Sequence, residues 1–294
     1  MQNILITGSS GMLGSEVHSY LNQLKFNLIT VKAKEFLSYS FLDWNNFFKF
    51  KKIDYVIHCA AFTNVNQCDL VEYYDISKKS IVDKTTVLGE ACAKNNIILL
   101  YPQSFLVLRD REEPHESFSE DFEPLNRYAE LKLLAEKKLL EKIDPSQLII
   151  LRLGGFFGGG NNLDKNFIGN FINKLAPDTK KNNKVLQIGN RKWQPTWTRD
   201  IALVISFIIK NNFRGGRYQF AGMDNVSFFE IAKMILKIND LKDIQITEVD
   251  YQSIDSIHKR PKNIRILNSK EFTNQNNFKW LSLYKNLELY LKEF

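Results

Sequence analysis

Short apolar runs recur along the first half of the chain, separated by longer stretches with helical spacing. Ile4-Leu5-Ile6, Phe26 to Val31, Ile53 to Ile57, Ile97 to Leu100 and Leu148 to Leu151 read as strands. The runs around Ile4, Ile97 and Leu148 show little polar alternation, as expected for parallel strands covered on both faces. Between the runs, Leu13, Val17, Tyr20 and Leu21 repeat at helical spacing, and Trp44 to Phe50 is aromatic and amphipathic. A long helical stretch follows from about Val71 to Lys94, and Leu131, Leu134, Ala135, Leu139 and Leu140 line one helix face. Strands alternating with helices predict a doubly wound, mostly parallel α/β sheet.

The second half is patterned differently. Phe167 to Leu175 and Arg199 to Ile209 read as helices. Ser227 is placed to cap a helix carrying Phe228, Ile231, Ile235 and Leu236, with Glu230 at the capping-box position. Trp280 to Phe294 reads as an amphipathic terminal helix. Gly154 to Asn162 holds five glycines, which argues against a packed element there. The polar stretch Pro177 to Lys184 is the best candidate for disorder. These features predict a smaller, mixed α/β lobe over residues 153–294, after a first domain of residues 1–152. Segments near 185–210 are expected to return to the first domain. The cleft should lie between the two, at the carboxyl ends of the strands.

Length and composition agree with this outline. The 294 residues are 44% hydrophobic and 25% charged, the profile of a soluble globular chain with room for a large core. No run approaches the ~20 apolar residues of a membrane helix, and the first residues form a strand and turn rather than a secretion leader. The cytoplasm is the expected location. Cys59, Cys68 and Cys92 form no close pair and no ligand pattern, so no metal is expected and they read as small apolar residues. The net charge of +7 is spread along the chain. It suits anionic small molecules, and no nucleic-acid-binding signature accompanies it.

The candidate chemistry begins at the first strand. Gly8, Gly11 and Gly14 follow it at once and open a helix. Gly8 permits a tight turn, Gly11 lets backbone approach a pyrophosphate, and Gly14 lets helix and strand pack closely. The helix N-terminus then presents N–H groups to the phosphates. After the second strand come Lys32 and Lys34, with no carboxylate before Glu35. That exit suits a ribose 2′-phosphate, and so NADP(H) over NAD(H), unless both lysines lie in solvent. Asp43 could accept from an adenine amino group or cap the helix after it. The third strand ends in the small residues Ala60 and Ala61, which leave space for a cofactor, and its His58 reads as a packed histidine. Ser104 lies past the fourth strand, where a hydroxyl can bond a reacting carbonyl. Tyr128 and Lys132 are one helical turn apart. An ammonium there favours the phenolate and can hold ribose hydroxyls, making the three a proton-transfer set for carbonyl reduction. Arg191 to Thr196 and Arg260-Pro261-Lys262-Asn263 offer cations suited to a diphosphate.

In order along nearly the whole chain, these motifs resemble the short-chain dehydrogenase/reductase superfamily, extended type. Within it they are most similar to the dTDP-4-dehydrorhamnose reductase family. The likeness rests on the Gly8–Gly14 turn, Ala60-Ala61-Phe62-Thr63, Pro124 to Lys132, Leu151-Arg152, Pro195 to Asp200, Gly216 to Gly222 and Arg260 to Asn263. It implies a Rossmann-like domain that binds NADPH, with Gly8, Ser10, Gly11, Met12 and Leu13 at the turn. Lys32, Asp43, Trp44, Ala60, Ala61, Thr63 and Lys132 complete the implied cofactor contacts. The substrate implied is a nucleotide-linked 4-ketosugar, contacted by Val65, Phe105, Tyr128, Gly155 and Arg260. Tyr128 would donate the proton, Lys132 would lower its pKa, and Ser104, where the family has threonine, would orient the carbonyl. Phe105 and Leu106 stand where the family has Asp and Tyr, and Leu153 to Phe156 replace a segment with a substrate-contacting tryptophan. The reading is therefore a reductase in deoxysugar biosynthesis with altered sugar contacts. A non-catalytic NADP-binding regulatory or scaffold protein and a nucleotide-sugar epimerase are the alternatives. A homodimer is compatible with all three.

Overall fold

In the computed structural model, residues 2–159, 165–178, 185–254, 259–274 and 276–293 are described. Ile4, Leu5 and Ile6 have no exposed surface and form the middle of β1 (Asn3–Thr7). This strand runs into α1 (Met12–Gln23), and β2 (Asn27–Val31) runs into α2 (Ala33–Ser38) and α3 (Phe41–Lys51). Next, β3 (Tyr55–His58) leads to α4 (Val65–Cys68), α5 (Tyr74–Lys78) and α6 (Lys84–Lys94), the last two joined by one π-helical turn at Lys79–Asp83. Then β4 (Ile98–Ser104) leads to α7 (Arg127–Lys142) and on to β5 (Leu148–Leu153). The second half holds β6 (Phe156–Phe157), α8 (Phe167–Asp178), β7 (Leu186–Gly189), β8 (Lys192–Trp193), β9 (Thr196–Trp197) and α9 (Thr198–Lys210). It continues through β10 (Gly216–Phe220), β11 (Val226–Ser227), α10 (Phe228–Ile238), β12 (Ile246–Val249), α11 (Tyr251–Ile254) and α12 (Leu283–Leu291).

Six strands pair in the order β10-β5-β4-β3-β1-β2, every pairing parallel. The chain steps outward from β1 to β2, then returns to lay β3 on the other side of β1. That reversal opens a crevice at the carboxyl ends of β1 and β3, where open α/β sheets take ligands. Strand alternation divides the core between the two faces. Ile4 and Ile6 pack with Leu13 and Val17 of α1 and Ile201 and Ile205 of α9. Leu5 packs with Trp44, Leu88, Leu131 and Leu139 on the other face. A further core joins α8, α10 and α12, including Ile168, Ile231, Ile235 and Leu287. The expected capping box of α10 is present: Ser227 Oγ accepts from Glu230 N at 3.1 Å, and Ser227 N donates to Glu230 Oε2 at 2.6 Å.

Three expectations bear on the second half. Within the segments near 185–210, α9 packs on the main sheet, to which β10 then adds a strand, while β7 pairs with β12 beside the third core. The glycine-rich stretch is packed over residues 154–159, where β6 pairs with β9 and Phe157 has no exposed surface. The glycines allow close approach there, since a Cβ at Gly159 would sit 2.1 Å from Met12 O. Residues 160–162 of that stretch lie outside the described residues. The disorder expected from Pro177 to Lys184 falls mainly on 179–184, also outside them, while α8 extends through Asp178.

Candidate active site

One cavity of about 930 Å³ runs from the glycine turn across the ends of β3, β4 and β5. All of Gly8 through Gly14 lie on its wall. Gly8 has φ +69, and a Cβ on it would sit 2.6 Å from Ala60 N. A Cβ on Gly14 would sit 2.2 Å from Gly8 O, so this glycine sets how closely α1 meets the turn. Gly11 is the N-cap of α1 and supplies no side-chain cap. The first-turn N–H groups are therefore left to whatever anion lies at that end of the cavity.

The neighbouring strand ends are fixed by a buried histidine. His58 Nδ1 is 2.7 Å from Thr7 Oγ1 and its Nε2 is 2.8 Å from Thr85 Oγ1, while Ala60 N donates to Thr7 Oγ1 at 3.3 Å. Burial, helped by the Lys132 charge, pushes the imidazole down to about 3, so it stays neutral. This is the packed histidine expected. Ala60, Ala61 and Thr63 lie on the cavity wall beside it.

The reactive end is carried by β4 and α7. Asn126 caps α7, with Oδ1 accepting from Ala129 N at 3.0 Å, and Asp69 Oδ1 accepts from Arg127 N at 2.9 Å. Leu131, Ala135 and Leu139 bury the helix against the sheet. This rotation places both Tyr128 and Lys132 on the cavity wall, together with Ser104. Lys132 does not point into water: it is 5% exposed, Nζ donates to Pro102 O at 2.7 Å, and it lies 3.9 Å from the Tyr101 ring centre. Ser104 Oγ accepts from Leu106 N at 3.2 Å, which leaves its proton to donate to a carbonyl.

Electrostatics here differ from the sequence reading, which put the pull of the ammonium on the phenol first. Burial comes first instead. It raises the Tyr128 phenol above the usual tyrosine range, with the Cys68 thiol adding to the effect. It also pushes Lys132 down to about 7, opposed by the Glu136 carboxylate. Desolvation disfavours the charged form of both groups.

Other expected contacts divide sharply. Ser10, Met12, Leu13, Lys32, Val65, Phe105 and Gly155 all reach the wall. Asp43, Trp44 and Arg260 do not. Asp43 Oδ2 accepts from Ser40 N at 2.8 Å and Ser40 Oγ at 2.7 Å, closing the capping box of α3, whose cap is Ser40. Trp44 has no exposed surface and stacks in the core against Phe48. Arg260 Nη2 donates to Asn66 Oδ1, and Asn126 Nδ2 reaches Lys259 O at 3.4 Å, so this segment clasps α4 and the start of α7. Lys262 and Asn263 are held through their N–H groups by Asp110, at 2.7 and 2.8 Å. Lys34 is also off the wall; Glu35 is on it, its Oε2 accepting from Lys32 N at 2.7 Å.

Sequence reasoning missed three participants. Lys165 lies on the wall, next to Asn166, whose side-chain amide is 3.5 Å from Met12 Sδ. Gln103 Nε2 donates to Lys132 O at 3.1 Å and Glu136 Oε2 at 2.5 Å, while its Oε1 accepts from Ser104 N at 2.8 Å. Glu136 was findable, being one helical turn beyond Lys132 on the same face. Lys165 had no such signal.

A parallel sheet with a glycine turn at its strand-order reversal, and a Tyr-x-x-x-Lys helix on the same cavity wall, defines a protein of the short-chain dehydrogenase/reductase type. The chain belongs to the RmlD substrate binding domain family, whose sequence model matches residues 1–294. It is 24% identical to the spore coat polysaccharide biosynthesis protein SpsK of Bacillus subtilis, covering 85% of each chain. It is also 24% identical to methionine adenosyltransferase 2 subunit beta of Pongo abelii, over 92% of this chain and 81% of that one. The structure of dTDP-4-dehydrorhamnose reductase from Bacillus anthracis in complex with NADP superposes with a TM-score of 0.85 at 21% identity, covering 100% of both chains. Among the described residues, no group of side chains could hold a metal ion and no helix is long and apolar enough to cross a membrane.

Proposed function

We propose that the chain is an NADPH-dependent reductase of the 4-keto group of a nucleotide-linked deoxysugar. The observation that carries this reading is the convergence of Tyr128, Lys132 and Ser104 on the wall of the cavity that begins at the glycine turn. The uncapped N-terminus of α1 fits a pyrophosphate, and Lys32 at the end of β2 fits a ribose 2′-phosphate. NADPH supplies the hydride when bound. Tyr128 donates its phenolic proton to the carbonyl oxygen, and Ser104 holds that oxygen through its own O–H. Lys132, anchored at Pro102 O, stabilises the phenolate left behind and offers further N–H groups to ribose hydroxyls.

The test follows NADPH oxidation with a panel of nucleotide-linked 4-ketosugars. Tyr128→Phe should lower turnover about 10³-fold or more while leaving NADPH affinity within about twofold. Unchanged turnover would remove Tyr128 as the acid. A second reading is a non-catalytic NADP-binding subunit. It is favoured by the burial that disfavours both the phenolate of Tyr128 and the charge on Lys132, and by the name of one relative as a subunit of another enzyme. Tight NADPH binding without oxidation by any ketosugar would select it.

A further inference from the structure

We propose that the substrate's ketone is flanked by carbons bearing hydrogen or methyl rather than hydroxyl, a preference set by the apolar wall at the ends of β4 and β5. The inference rests on the reductase reading above and names the substrate class of the same site. Phe105, Leu106, Leu153 and Phe156 line the cavity there without one polar side-chain atom, and Gly155 adds no side chain.

Four backbone groups on that wall are also paired. Gly155 O accepts from Thr196 N at 3.0 Å, and Gly154 N donates to Phe220 O at 3.0 Å. Phe105 O accepts from Leu108 N at 3.0 Å, and Leu106 N donates to Ser104 Oγ at 3.2 Å. The amide of Gln103 is used by Ser104 N, Lys132 O and Glu136. The two hydroxyls that remain, on Ser104 and Tyr128, are both committed to the ketone oxygen. Of the charged side chains on the cavity, Lys32 and Glu35 follow β2 and Lys165 adjoins the residue that touches Met12, while Lys132, at the reactive end, is shared between Pro102 O and the ribose hydroxyls it is proposed to hold. Thr63 and Ser80, also on the wall, are carried by the segment after β3.

A hydroxyl beside the ketone would therefore lose water and gain no side-chain partner from this wall. An apolar pocket disfavours a substrate that merely adds a hydroxyl by about a hundredfold. The same wall accepts a hydrogen or a methyl without cost.

The experiment uses the full chain saturated with NADPH and two nucleotide-linked 4-keto-6-deoxyhexoses, alike except that carbon 3 bears a hydroxyl in one and two hydrogens in the other. The 3-deoxy compound should have the higher kcat/KM, by about a hundredfold. Leu106→Asn or Phe105→Asn should narrow that ratio, and unchanged NADPH affinity shows that the fold is retained. Equal or faster reduction of the hydroxylated compound overturns the inference and leaves the reductase reading standing. A ratio untouched by both variants overturns its assignment to this wall. No reduction of any ketosugar by protein that binds NADPH overturns the reductase reading, and this inference with it.

Discussion

The two ends of the cavity are built by different means. At the glycine turn, backbone meets backbone: side-chain carbons on Gly8 and Gly14 would fall 2.6 and 2.2 Å from backbone atoms. At the reactive end, long side chains are held by a buried network running from Pro102 O to Lys132, and from Lys132 O through Gln103 to Glu136. The first end has almost no freedom to change, because backbone cannot retreat as a side chain can. The second is walled by side chains such as Phe105 and Leu106, which can change while the network beneath keeps Tyr128, Lys132 and Ser104 in place. A rigid backbone turn and an adaptable side-chain wall thus share one cavity.

The strongest way to break this contrast is at Gly14. Gly14→Ala should cost about 3 kcal/mol of stability and weaken NADPH at least tenfold, because the methyl can be accommodated only by moving α1 from the turn. Urea unfolding and NADPH titration check both, and a variant as stable and as tight as the parent would show that the turn has slack.

Lys132 sharpens the other side. Its folded value near 7 lies below that of an unfolded lysine, so between about pH 7 and 10 the folded chain holds fewer protons there. Stability should therefore rise with pH across that window, by about 2 kcal/mol from pH 7 to 9. Lys132→Met should abolish this rise, as unfolding midpoints at pH 7, 8 and 9 would show. A parent whose midpoint is flat over that range would mean the ammonium is better solvated than its burial implies.

The smallest effect is expected at Asp43. Asp43→Ala should lower the urea unfolding midpoint slightly through the lost capping box of α3 and leave NADPH affinity unchanged. A tenfold loss of affinity would return Asp43 to the cofactor's surroundings.

Local chemistry is what the sequence determined by itself. The unbroken run Ile4 to Ile6, the glycines after it, the turn-spaced Tyr128 and Lys132, and the box at Ser227 and Glu230 each act over a few residues, so spacing alone exposes them. Glycine-rich composition misled at Gly154 to Gly159, since composition does not separate a glycine needed for mobility from one needed for close packing. Trp44 misled for a related reason, and Asp43 stayed open between a ligand and a helix end until the capping box was seen: a carboxylate and an indole look alike whether they face a ligand, a helix end or the core.

Only the tertiary structure decided which side chains share a wall. It brought Lys165 to the cavity across a long stretch of chain, took Arg260 away to Asn66, and set Gln103 between Lys132 and Glu136. It also reversed the expected order of effects at Tyr128 and Lys132. How much water each group keeps is a property of everything packed around it, and a one-dimensional pattern carries no record of that.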